Sequence, residues 1–343
     1  MNTLSPARIM EVGMAFWPAK VLLSAVELEL FTELGANTMT GRELQGVLRL
    51  HPRANPDFFD TLVALHFLDR DGDGPGARYR NTEETALFLD RRSPQFIGDF
   101  LEMANARLYR FWDDLTEALR TGRPQNEIKH TGKSVFAELY SEPERLEQFM
   151  GAMSGISAAN FQALADKFDF SRYHTVCDVG GATGLLSMLV ARKHPHLHCI
   201  STDLPAATLI ADRQIAATGL ADRISTQSLD FFAEPLPKAD VITMGMILHD
   251  WNLEKKMHLV RAAYDAYDAL PPGGAFVVIE NLIDDARREN AFGLMMSLNM
   301  LIEFGDAFDF TAADLFGWCR EVGFSRTEVI PLAGSASAGV AYK

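Results

Sequence analysis

The sequence predicts an α/β protein, with a C-terminal Rossmann-like domain behind an N-terminal, mostly helical winged-helix domain. Three observations predict it. Residues 175–205, TVCDVGGATGLLSMLVARKHPHLHCISTDLP, run apolar strand, Gly-rich turn, helix, then a strand ending on an acid. Through the last half, short apolar runs alternate with helical patterns, as in a parallel sheet covered on both faces. The first 93 residues carry three helical segments followed by a turn-rich hairpin, DRDGDGPGARYRNT. The expected parts are residues 1–93, a helical region over 94–168, and the sheet domain over 169–343.

Composition narrows the function. Of 343 residues, 48% are hydrophobic and 23% charged, ordinary for a globular chain, and the formal net charge is −14. That acidity opposes a nucleic-acid partner and an anionic membrane surface, which need basic faces. No apolar run is expected to reach the roughly 18 residues of a membrane helix, and no signal peptide is read at the N-terminus. Cys177, Cys199 and Cys319 have no metal-ligand spacing and read as buried thiols, so the expectation is a reduced, cytoplasmic protein.

Residues 7–34 read as one helix with an apolar stripe, interrupted at most by Pro18. Thr40 and Glu43 form a capping box for the next helix. A third helix is expected from Asn55-Pro56 through Leu68. Residues 94–121 and 134–168 read as helical around a polar loop, Gly122 to Gly132. They are rich in Phe, Tyr, Trp and Met, including Phe136 and Met153; most suit a core, and Met153 is a candidate pocket residue. Arg107 and Arg110 could be solvated helix residues, or one could hold a substrate carboxylate. Strands are expected over 176–180, 197–203, 224–229, 240–247 and 275–281, with a terminal antiparallel pair over 327–332 and 338–342. Helices are expected over 185–194, 206–218, 254–269, 286–303 and 312–322.

Ligands of such sheets bind outside the carboxyl ends of the strands. Gly180, Gly181 and Gly184 let the backbone approach a ligand there. Their G-G-x-x-G spacing is not the dinucleotide G-x-G-x-x-G. Asp178, just before the turn, would repel a pyrophosphate and suit a cation. Asp203 can take ribose hydroxyls; Asp230 and Phe231 can hold an adenine amino group and cover its face, or form an Asx-turn with a core Phe. S-adenosylmethionine (SAM) has a sulfonium, an ammonium and a ribose, and no phosphate. The turn, with the following Asp203-Leu204-Pro205, resembles the first motif of class I SAM-dependent methyltransferases. His249, at the end of the strand ADVITMGMIL, is a candidate general base, because imidazole titrates near neutrality. Glu280 ends the next strand at the same edge, placed to orient the ring, and Asp309 is a third acid of similar use.

Taken together, D-V-G-G-A-T-G, D-L-P, D-F-F, H-D-W and P-G-G…E resemble the small-molecule O-methyltransferase family, which includes plant caffeate and flavonoid enzymes and bacterial polyketide, phenazine and carotenoid-tailoring enzymes. The resemblance spans nearly the whole chain. It implies homodimers in which the N-terminal domain of one subunit helps close the partner's site, and SAM as methyl donor with S-adenosylhomocysteine as product; no metal is expected, because the sequence shows no clear metal-ligand cluster. It implies His249 as base, flanked by Glu280 and Asp309. Cofactor contacts would fall on the motif glycines, Asp203, Asp230 and Phe231, with Trp251 near the adenine. Acceptor contacts would fall on Met296, Asn299 and Met300. Two departures stand out. Gly245 replaces the Lys that plant enzymes carry four residues before the catalytic His, and Asp309 replaces a Glu.

The function expected is therefore methyl transfer from SAM to a small acceptor, first to a hydroxyl. The alternatives are a thiol or thioether acceptor, or carbon, on the same fold. A non-catalytic SAM-binding regulator is a further alternative. The sequence leaves the acceptor unnamed.

Overall fold

The structure, a computed structural model, describes residues 4–132, 139–140, 143–265, 271 and 273–343. Phe136, the start of the helix expected from 134, and the end of the one expected over 254–269 lie outside the described residues. The chain divides into two compact units, Met1–Arg110 and Phe111–Lys343, so the region expected over 94–168 contributes to both.

The first unit contains α1 (Ala7–Gly13), α2 (Phe16–Glu27), α3 (Leu30–Leu34), α4 (Gly41–Val47), α5 (Asp57–Ala64), α6 (Glu83–Phe88) and α7 (Gly98–Met103). Strands β1 (Met39–Thr40), β2 (Leu68–Asp71) and β3 (Arg78–Asn81) form an antiparallel sheet in the order β1-β3-β2, and β2/β3 is the expected hairpin. The single helix expected over 7–34 is corrected to three. Glu29 is left-handed and breaks the run before α3, while Pro18 lies in the first turn of α2, where its missing N–H costs nothing. The third helix stops at Ala64, because Leu68 already pairs with Asn81. The Thr40–Glu43 capping box forms as expected. Leu30, Phe31, Leu34, Leu44, Phe59 and Leu62 make the buried core of this unit.

One expectation about membranes is also corrected. The stretch Ala7–Glu27 is long and apolar enough, by length and composition, to cross a bilayer. In the fold it is two helices separated at Met14-Ala15, with Lys20 inside the second.

The second unit begins with α8 (Leu115–Thr121), α9 (Ile128–Thr131) and the long α10 (Pro143–Lys167). A regular alternation follows: β4 (Thr175–Val179), α11 (Leu185–Lys193), β5 (His198–Asp203), α12 (Pro205–Ala217), β6 (Ile224–Ser228), β7 (Val241–Gly245), α13 (Leu253–Asp265), β8 (Ala275–Glu280), α14 (Ala291–Phe304), α15 (Ala312–Val322), β9 (Arg326–Pro331) and β10 (Ser337–Tyr342). All seven expected strands form, in the order β6-β5-β4-β7-β8-β10-β9. The first five are parallel; β10 runs antiparallel to β8 and β9. The helix expected from 286 starts at Ala291. The Asp284 carboxylate gathers the N–H groups of Arg288, Glu289 and Asn290 into a turn, and Asn290 then caps α14 through Gly293 N–H.

Burial follows the strand period of two. Val176, Cys199, Val241 and Val277 face one core layer; Cys177, Ile242, Phe276 and Val278 face the other. Cys177 and Cys199 thus lie on opposite faces, and all three thiols are free and buried. Strand order reverses at β4, with β5 on one side and β7 on the other. The crevice beyond the carboxyl ends of β4 and β7 is where such a sheet takes a ligand.

Candidate active site

Four strand ends deliver the chemistry to that crevice. After β4 the chain turns through Gly180, whose φ of 69° an L side chain resists. At Gly181 an added Cβ would overlap Ser201 Oγ and sit 3.0 Å from Asp178 Oδ2. Gly181 N–H donates to Thr202 O at 2.9 Å, and Ala182 N–H to Asp203 Oδ2 at 3.0 Å, so the turn closes on the end of β5. Asp203 Oδ1 accepts from Leu204 N–H at 2.7 Å and from the Tyr140 hydroxyl at 2.9 Å. Asp178 is buried, and its Oδ1 accepts from Thr243 Oγ1 at 2.8 Å. Burial pushes Asp178 up to about 7; the Thr243 hydrogen bond opposes this and the Asp203 charge adds to it. Burial likewise pushes Asp203 up, against its three hydrogen bonds. A buried carboxylate whose cost of ionisation is raised further by a half-buried one beside it is relieved by a cation. Together with a turn whose Gly181 lets Ser201 and Asp178 pack directly against the backbone, this fits a ligand carrying positive charge and a ribose.

An aromatic wall stands beside this turn. Phe231 stacks edge-on with Phe232 at 4.9 Å between centroids, and Phe232 with Trp251 at 4.7 Å. Phe231 Cε1 comes 4.0 Å from the position of a Cβ on Gly180. Asp230 Oδ1 accepts from Phe232 N–H at 2.9 Å, which is the Asx-turn that the sequence left as an alternative.

Beyond β7, Leu248–Asp250 form one 3₁₀ turn with His249 buried in it. Its Nδ1 lies 3.5 Å from Asp309 Oδ1 and 3.9 Å from Glu280 Oε2; its Nε2 lies 3.4 Å from Asp250 Oδ1. These are ion-pair distances, too long or misaligned for hydrogen bonds, and His249 Nδ1, Glu280 Oε2 and Asp309 Oδ1 make none. Glu280 instead accepts the backbone N–H of His249 through Oε1 at 3.2 Å. Asp309, rather than Glu280, is therefore the nearer acid to the ring, and Glu280 grips the turn that carries it. Burial pushes the imidazole down, but the charges of Glu280, Asp250 and Asp309 outweigh it and bring it up to about 10. Burial pushes Glu280 up to about 7 and Asp250 up to about 6, each partly offset by His249. His249, Glu280 and Asp250 act on one another and titrate as a coupled set. His249, Glu280 and Asp309 offer atoms within 4.8 Å of one another, the one such group among the described residues close enough to bracket a cation.

The candidate acceptor residues are more scattered in role. Helix α14 packs against the His249 turn, and its Ser297 Oγ accepts from Asp309 N–H at 3.2 Å. Met296 is half-buried, Met300 is buried, and Asn299 Oδ1 accepts from Trp112 Nε1 at 2.9 Å. Met153, half-buried on α10, precedes Ser154, whose Oγ lies 2.6 Å from Thr183 Oγ1 in the Gly-rich turn. At Gly245 a Cβ would come 3.0 Å from Phe161 Cε1, so Phe161 crowds the space into which a lysine side chain would start. Sequence reasoning missed Tyr140, Thr243 and the role of Asp250. Only Asp250 had a signal, its place in H-D-W.

A family model described as the O-methyltransferase domain matches residues 112–325. The chain belongs to the O-methyltransferase family. This chain is 35% identical over 338 residues to the tetracenomycin polyketide synthesis 8-O-methyl transferase of Streptomyces glaucescens, covering 98% of this chain and 97% of that one. It is 34% identical to an N,N-dimethyltransferase of Streptomyces rimosus, covering 92% and 90%. The crystal structure of human N-acetylserotonin methyltransferase in complex with SAM superposes with a TM-score of 0.90 at 27% identity, covering 100% of this chain and 99% of that one. The family and fold class expected from the sequence stand. SAM is the cofactor of this O-methyltransferase family, and transfer to oxygen is favoured over transfer to sulfur.

Proposed function

We propose that this O-methyltransferase family member moves the methyl group of SAM to a hydroxyl of a small, mostly apolar aromatic molecule. The observation that carries the reading is the buried His249 among three carboxylates, at the sheet edge where the glycine turn and Asp203 also converge. When bound, SAM supplies a methyl carbon activated by its sulfonium. Asp203, with Leu204 at the start of α12, holds the ribose, Asp178 faces the positive end, and Phe231 and Trp251 flank the adenine with Asp230 beside them. Gly180, Gly181 and Gly184 keep the backbone close. The chain's own chemical contribution is proton removal. Nδ1 of His249, turned toward Asp309 and Glu280, keeps its proton, and Nε2 takes the proton of the acceptor hydroxyl. The resulting imidazolium is held by the same carboxylates that raise its proton affinity. Met153, Met296, Asn299 and Met300 are read as acceptor-pocket residues, and the reading needs no metal, since SAM brings the activated methyl group and His249 removes the proton.

The pH dependence has a definite sign. A base must be unprotonated to act. His249 holds its proton to higher pH than a free imidazole, so the rate rises with pH through a limb above about 6.5. Initial rates on naphthol from pH 6 to 10 check this. A rate that is flat across that range overturns proton removal by His249 as the step that limits turnover.

The first unit is read as a winged-helix-like dimerisation domain. Helix α1 has no buried residue, and Ile9, Val12 and Trp17 are 76%, 68% and 61% exposed. Trp17 also lines a groove of about 370 Å³ together with Phe16, Lys20, Val21, Ser24, Phe58 and Tyr109. A patch of this kind marks an interface, and a second copy is the occupant that the family resemblance implies. Light scattering is expected to give twice the monomer mass, and Trp17→Asp to lower it; a monomeric wild type contradicts the dimer. The cytoplasmic reading rests on the three free buried thiols.

A further inference from the structure

Lys256, on α13, is fully buried, a rare position for an ammonium group. Its Nζ donates a short hydrogen bond to the carbonyl oxygen of Trp251. The same Nζ lies 3.7 Å from the centroid of the Phe308 ring and 5.6 Å from that of Phe310. Each partner is a chain neighbour of a site residue. Trp251 stands two residues after His249, and Phe308 and Phe310 bracket Asp309. One further tie runs alongside: Asn252 Nδ2 donates to Asp306 Oδ2 at 2.8 Å. The ammonium thus bridges the two segments whose separation sets the 3.5 Å between His249 Nδ1 and Asp309 Oδ1.

Charge points the same way. Asp250 on the His249 turn, Glu280 on β8, and Asp306 and Asp309 on the segment after α14 all act on Lys256, while Glu303 on α14 acts on Asp250. Glu280, Glu303 and Asp309 are buried, Asp250 is half-buried and Asp306 is exposed; one imidazolium cannot offset the buried acids, and an uncompensated buried charge is costly. Burial pushes Lys256 down to about 8, and the four acids hold it up, so it is still charged at neutral pH.

We propose that Lys256 is a positioning residue for the methyl transfer. Clamped between the Trp251 carbonyl and the rings of Phe308 and Phe310, it fixes the His249 turn against the Asp309 segment. It also supplies the countercharge that lets the acids around His249 stay ionised. This rests on the reading of His249 as base, and it adds a second cation, behind the ring, to that account.

The test compares wild type, Lys256→Gln, Lys256→Met and His249→Ala, each checked for SAM binding and thermal unfolding. Glutamine keeps a donor for the Trp251 carbonyl and removes the charge; methionine keeps the length and removes both. Without the cation every proton on the acid–imidazole group is held more tightly, so its titration steps move to higher pH. In Lys256→Gln the acid limb of kcat on naphthol is expected to move up by about one pH unit, lowering kcat at neutral pH about tenfold, with SAM affinity within about twofold. Lys256→Met is expected to lose more. The His249 resonance in ¹³C-histidine-labelled protein, assigned by its loss in His249→Ala, should titrate at higher pH in Lys256→Gln; this readout needs no acceptor. A limb and a His249 resonance both unmoved in a folded Lys256→Gln overturn the proposal while leaving the base intact. Loss of SAM binding together with kcat, with no change in titration, also overturns it, since that marks a merely structural lysine. Undiminished turnover in His249→Ala instead overturns the base reading beneath it.

Discussion

Replacing His249 with alanine is expected to lower kcat by about 10²- to 10⁴-fold while SAM affinity stays within about twofold. The size follows from what the side chain does in the proposed step. An aromatic hydroxyl attacks a methyl carbon poorly until its proton leaves, and His249 is the one imidazole in the described structure set among three carboxylates at the sheet edge. Those carboxylates make it a stronger base than free imidazole and hold the imidazolium once formed. The residual rate comes from holding the acceptor oxygen in line with the methyl group, which the variant retains. Cofactor affinity should change little, because the cradle at Gly180–Ala182 and Asp203 is built from β4 and β5, and His249 from the turn after β7. Stopped-time assays with isothermal titration of SAM separate the two quantities. A variant with wild-type kcat removes His249 from the chemistry.

Replacing Asp203 with alanine is expected to act on the other side of that division, weakening SAM binding about 30- to 100-fold, a loss of about 2–3 kcal/mol. Asp203 would accept charge-assisted hydrogen bonds from two ribose hydroxyls, and its removal also strands two backbone donors, Ala182 N–H and Leu204 N–H. The Tyr140 hydroxyl, which donates to Asp203 Oδ1 at 2.9 Å, shows that this oxygen accepts a hydroxyl donor. Turnover at saturating SAM should fall far less than affinity. Titration calorimetry checks the affinity; an unchanged dissociation constant would place the ribose elsewhere.

How much of this was legible in the sequence depended on distance along the chain. The β4–turn–α11–β5 unit was legible because its signals are local: a period-two apolar run, glycines where a Cβ collides, and an acid at a strand end. The same logic carried His249 and Glu280 to one edge, since strand ends in a parallel sheet share a side. What was not legible arises from side chains meeting across the fold. Tyr140 reaches Asp203 over 63 residues, Lys256 is held by rings more than fifty residues away, and Asp309 lies closer than Glu280 to His249 Nδ1. The break before α3 turns on one left-handed glutamate, Glu29, a conformation for which that residue type gives no warning. Asp230 had two readings that spacing could not separate; its Oδ1 accepts from Phe232 N–H as in an Asx-turn, and the adenine contact stays part of the proposed function.

The central claim is that the methyl group ends on oxygen. Its most direct test is to supply SAM labelled with ¹³C in the methyl group to naphthol, naphthylamine and naphthalenethiol, which present oxygen, nitrogen and sulfur on one ring. The atom that carries the label is then read by NMR of the products. The relative from Streptomyces rimosus, named as an N,N-dimethyltransferase, makes nitrogen the informative competitor. The account predicts label on the naphthol oxygen, lost in His249→Ala. Label confined to nitrogen or sulfur, and undiminished in that variant, would contradict it.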